Sequence, residues 1–117
     1  MDRHRDHAAM EKSKVFIILD AVAYMPKLLS NKIIIKRSTG SVMVSSLDAG
    51  QVVAEKCFPF DTFIHIIDGM AQLTIDRTLY NLEHGEGIIV PAHAKHDFNA
   101  SVPFKMITTI IKSGYED

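Results

Sequence analysis

From Lys32 onward, apolar residues fall in short runs broken by turn residues about every ten positions. The runs are Lys32–Lys36, Val42–Leu47, Gln51–Phe58, Thr62–Ile67, Ala71–Ile75, Leu79–Leu82, Gly87–Val90, Asp97–Asn99 and Phe104–Ile111. Ser38-Thr39-Gly40, Asp48-Ala49-Gly50, Asp68-Gly69, Asp76-Arg77 and Glu83-His84-Gly85 punctuate them. Many short strands with no long helical period predict an antiparallel all-β sandwich or barrel. Asp68-Gly69 between two apolar runs predicts a hairpin, because glycine takes positive φ at no steric cost. Asp76-Arg77 is a weaker turn signal, since arginine resists that conformation. Three isoleucines in succession, Ile33 to Ile35, predict a strand covered on both faces. Upstream, Asp20 is placed to cap one helical turn, Ala21 to Tyr24, ended by Pro26.

The chain has 117 residues, the length of one domain with one core. Residues 1–13 alternate charges and hold His4 and His7, and read as a flexible tail before a single domain over 14–117. A histidine pair at this spacing is at most a loose metal binder, and Met10 offers a second start. Thirteen basic and fourteen acidic residues leave a net charge of −1, without the basic excess of a nucleic-acid binder. No apolar run approaches the roughly 20 residues that span a bilayer as a helix. Val15–Leu19 is too short for a secretory signal. The one cysteine, Cys57, cannot form an internal disulfide, so a cytoplasmic protein is expected, with no membrane or nucleic-acid partner.

The second half carries a spaced pattern: Gly85, five residues, Pro91, Ala92, His93, two residues, His96. Gly85 turns into a strand, Pro91 ends it because proline has no ladder donor, and His96 opens the next. This resembles the second signature of the cupin superfamily, with His93 in place of its middle glycine and Ala100 in place of its final asparagine. The first cupin signature, anchored on Gly69, puts Lys56 and Phe58 at its two histidine positions and Thr62 at its glutamate. The resemblance covers about Ile34 to Ile111. It implies a double-stranded β-helix, the cupin jelly-roll barrel, with an N-terminal arm, usually as a homodimer.

Cupins that use a metal hold it with three histidines and one glutamate. Here those places carry an ammonium, a phenyl ring, a hydroxyl and the lone imidazole of His96, so no metal and no other cofactor are expected. Lys56, Phe58 and Thr62 share one strand face by parity. With His96, and with His93 at the rim, they form the expected ligand pocket. Lys56 either stands in for the metal's charge toward an anion or carries its head to the barrel mouth; a role as base or amine nucleophile is the remaining alternative. Cys57 alternates with Lys56 and reads as a small buried apolar residue. Asp61 points outward unless a bulge intervenes. His65 faces away from the cavity and His84 sits in a solvated turn. Phe58, Phe60, Phe63, Ile64, Ile66, Ile67 and Phe98 are the expected core.

The function expected from this set is binding of a small, anionic or carbonyl-bearing molecule in the barrel, with no catalytic residue assigned. Two alternatives stand beside it: a cupin-type isomerase, lyase or oxygenase with an altered or metal-free site, and a structural or sensory dimer whose barrel is filled by side chains. The fold does not choose among them, because this barrel hosts unrelated activities.

Overall fold

Alternation of inward apolar and outward polar residues builds eight strands that wrap into two facing antiparallel sheets. The computed structural model describes residues 10–115; the expectations for His4, His7 and most of the tail lie outside them. The strands are β1 (Leu29–Arg37), β2 (Gly40–Leu47), β3 (Val52–Cys57), β4 (Thr62–Ile75), β5 (Thr78–Glu83), β6 (Gly87–Val90), β7 (Lys95–Asn99) and β8 (Phe104–Ile111). One sheet runs β1-β2-β8-β4-β6 and the other β5-β4-β7-β3, so β4 belongs to both.

This sharing corrects the reading of Asp68-Gly69. No hairpin forms there. The two runs on either side are one strand of 14 residues, and its register against β8 shifts between Ile66 and Asp68. Gly69, at φ +73°, lies where β4 leaves one sheet for the other. A side chain at Gly69 would run into the Pro103 carbonyl oxygen and into Phe104. The glycine that signals a turn therefore serves a bulge and a close backbone approach. The tight hairpin is instead Asp76-Arg77, with φ of 45° and 74° and Ile75 facing Thr78. Both positive φ values fit a type I′ turn. Lys95 steadies it from β7: its N–H donates to Asp76 Oδ1 at 2.9 Å and its carbonyl accepts from the Asp76 N–H at 2.8 Å.

The remaining corrections follow from burial. The Ile33–Ile35 run lies on an edge strand, and a register shift between Ile33 and Ile35 interrupts its alternation. Ile35 is exposed, so the chain alone does not cover both faces. The helical turn starts three residues earlier than expected, as a 3-10 turn over Ile18–Asp20. Asp20 ends this turn rather than capping its start. Phe63 is 43% exposed, while Phe58, Phe60 and Ile67 are half-buried. Cys57 is exposed.

The core between the sheets contains Ile64, Ile66, Leu73, Phe98, Phe104 and Met106. The segment before β1 is strapped to the outside. Ser46 Oγ donates to the Ala23 carbonyl at 2.8 Å, and Lys105, only 9% exposed, donates to the Leu19 carbonyl. Tyr24 donates its hydroxyl to Asp68 Oδ2 at 2.8 Å, and the Lys105 ammonium lies 4.9 Å from its ring centroid. Burial, then the hydrogen bond and charge of Asp68, push the Tyr24 phenol well above its ordinary pKa.

Candidate functional site

The two sheets do not close completely on each other. They leave a cavity of about 200 Å³ with walls from both. That is somewhat larger than the roughly 150 Å³ apolar cavity known to accept benzene. Met43, Ile64, Phe98, Met106 and Ile110 supply much of the apolar wall. The polar lining is Asn31, Ser45, Lys56, Thr62, His96 and Thr108.

Local structure explains why Lys56 and His96 meet. β3 and β7 pair antiparallel with Lys56 directly opposite His96, and β4 places Ile75 on the other side of His96. Cross-strand partners share a face, so both side chains turn inward. His96 is 4% exposed. Its ring lies against Phe58, with centroids 5.7 Å apart, and edge-on to Phe98 at 6.3 Å. Its Nδ1 is 3.4 Å from the Ala94 carbonyl. A carbonyl only accepts, so this contact is a hydrogen bond for the tautomer with its proton on Nδ1, the one that leaves Nε2 as an acceptor. Lys56 is an exposed residue that also lines the cavity. It makes no ion pair among the described residues.

Thr62 opens β4 and is 1% exposed, yet its hydroxyl has no hydrogen-bond partner. A buried polar atom left unpaired is uncommon and costs stability. Ser45, by contrast, is satisfied by donating to Asn31 Oδ1 at 2.6 Å.

Four of the five residues expected in the pocket therefore come together: Lys56, Phe58, Thr62 and His96. His93 does not join them. It is exposed in the loop after β6, where its N–H donates to the Phe58 carbonyl at 2.6 Å and its carbonyl accepts from Cys57 Sγ at 3.3 Å. Its φ of 71° is the left-handed conformation that glycine favours, which accounts for the glycine at this place in the cupin signature. Asp61 stays outside, its carboxylate accepting from the Ala92 N–H at 2.9 Å.

The sequence reading missed the opposite wall. Ser45 and Thr108 interrupt apolar strands on the inward face, and that parity was the available signal. Asn31 and Leu29 lie ahead of the apolar run that marked this strand in the sequence, although their register against β2 is regular.

The metal of metal-using cupins does not fit here. Its four ligand positions hold one imidazole, and the Phe58 ring and Lys56 ammonium stand beside it. Among the described residues, no group of three or more His, Cys, Asp or Glu could hold an ion.

No family profile matches the chain, and no curated protein matches it either. Solved structures do. A conserved protein of unknown function from Streptococcus pyogenes is 28% identical, with a TM-score of 0.84 over 90% of this chain and 92% of that one. A cupin superfamily protein from Desulfitobacterium hafniense is 20% identical, with a TM-score of 0.81 over 87% and 94%. Salicylate 1,2-dioxygenase from Pseudoaminobacter salicylatoxidans, with gentisate, reaches a TM-score of 0.67 at 16% identity, over 74% of this chain and 25% of that one. The neighbours thus range from an enzyme to a protein of unknown function, on one shared architecture.

Proposed function

We propose that this chain, which has the cupin fold, binds a small organic molecule in its barrel without a metal. The observation that carries the reading is the unpaired hydroxyl of Thr62, buried in the wall of a cavity lined by both apolar and polar side chains. A fold that tolerates such an atom gains if a ligand supplies its partner. The pocket has the character of small-molecule sites generally: an apolar body with a few convergent polar groups.

A thermal-shift screen of small neutral and acidic aromatics tests the proposal. A ligand at a hundred times its Kd adds about 2.7 kcal/mol of stability. Thr108→Phe fills the cavity from β8, so true cavity ligands stabilise the wild type and not this variant. If every hit stabilises both proteins equally, the barrel is not the binding site. Elemental analysis of untagged protein should find far less than one iron, nickel or zinc per chain; a stoichiometric ion would refute metal-free binding.

We further propose that the protein works as a homodimer in the cytoplasm. Ile35, Val42, Thr109, Phe63 and Ile89 form one in-register row across the outer face of the five-stranded sheet. Ile35, Phe63 and Ile89 are exposed, and a second copy would cover them. Light scattering at micromolar concentration should give twice the 13.1 kDa chain mass; the monomer mass would refute the dimer.

A further inference from the structure

Resting on the proposed binding function, we infer that the barrel takes a compact hydroxycarboxylic acid: one ring-sized apolar body, one carboxylate and one hydroxyl. Thr62 Oγ1 is buried without a partner, and Lys56 and His96 line the same cavity, so three polar groups with different requirements meet there. The Lys56 ammonium only donates, and it has no carboxylate among the described residues. It calls for an anion. With its proton on Nδ1 toward Ala94, His96 presents an acceptor at Nε2 and calls for a donor. Thr62 Oγ1 both donates and accepts, and serves either group.

A neutral alcohol would satisfy Thr62 and His96 and leave the ammonium to water. A carboxylate without a hydroxyl would set its charge against the lone pair of His96. Only a ligand carrying both groups meets all three demands. The cavity, at about 200 Å³, has room for a single ring and a short polar head. Phe58 and Phe98, which flank His96 at 5.7 and 6.3 Å, offer ring faces and edges to that body.

Three matched probes separate the parts. Mandelate carries a phenyl ring, a hydroxyl and a carboxylate; phenylacetate lacks the hydroxyl, and 1-phenyl-1,2-ethanediol lacks the carboxylate. Calorimetry is run in one buffer at one pH for all three probes. One mandelate enantiomer should bind the wild type roughly tenfold or more tighter than either relative, since a hydrogen bond to a charged group is worth about 1.5–3 kcal/mol. Lys56→Met should abolish the preference for mandelate over the diol. If the diol binds the wild type as tightly as mandelate, the acid assignment is overturned while small-molecule binding stands. If phenylacetate equals mandelate, the hydroxyl assignment is overturned. If none of the three binds, and neutral benzyl alcohol does not bind either, the binding function itself is overturned.

Discussion

Lys56 and His96 stand directly opposite each other on β3 and β7, and both line the same cavity as Thr62 and Phe58. Metal-using cupins converge four ligands from these positions. Lys56→His, Phe58→His and Thr62→Glu together with His96 should therefore rebuild a three-histidine, one-glutamate site. Removing the ammonium and the ring frees charge and volume for an ion. The triple variant should take up about one divalent ion per chain and melt higher with it, although the missing outer hydrogen bonds will keep affinity below that of a natural site. A folded triple variant that binds no metal by calorimetry would show that these four side chains do not converge.

Thr62→Val should stabilise the ligand-free protein. The isosteric change deletes a buried hydroxyl that has no partner, for a gain of about 1 kcal/mol. A melting rise of roughly 4 °C is the expected readout. The same variant should bind cavity ligands more weakly. A fall in stability would mean that the hydroxyl is already satisfied in solution.

Gly69→Ala should cost about 3 kcal/mol, because the new methyl group meets the Pro103 carbonyl at a positive φ. Gly85 also has positive φ but no atom within 4 Å of a Cβ there. Gly85→Ala should cost distinctly less, about 1 kcal/mol. Equal losses in urea unfolding would mean that backbone conformation, and not the close approach at Pro103, sets the requirement at position 69.

Tyr24 gives the fold a sensitivity to alkali. Its phenol ionises well above the ordinary value of 10.0 in the folded chain, through burial and Asp68. As pH rises past that ordinary value, the unfolded chain loses this proton and the folded chain keeps it. The unfolded state then binds fewer protons, so stability falls. The contribution is fully present below the unfolded value and is lost as pH rises toward the folded one. Tyr24→Phe should flatten the decline in urea midpoint above pH 10; an unchanged slope would place the alkaline sensitivity elsewhere.

The strand periods and Pro91 were readable because alternation is a local property of the chain; Lys56, Phe58 and Thr62 line one cavity, although Phe58 lies past the end of β3 and Thr62 opens β4. The exchange of roles between Asp68-Gly69 and Asp76-Arg77 was not readable. A glycine after aspartate looks the same whether the chain turns back or passes between sheets. What separates the cases is Pro103 and Phe104 pressing on Gly69, and Lys95 holding Asp76, partners far away in sequence. The Tyr24–Asp68–Lys105 cluster was hidden for the same reason. Lys105 sits in a strand whose alternation alone gives no hint that its head lies beneath an arm from the other end of the chain.

β8 lies between β2 and β4 at the middle of the five-stranded sheet, yet it is the last of the eight strands to leave the ribosome. Until Phe104–Ile111 emerges, the β1–β2 hairpin has no sheet to join, and β2 and β4 each present an open edge. Lys105, which fastens the arm at Leu19, arrives with the same strand. Assembly of the two sheets is thereby tied to completion of synthesis through residue 111, and a nascent chain stalled before Phe104 exposes unpaired strands to aggregation and proteolysis.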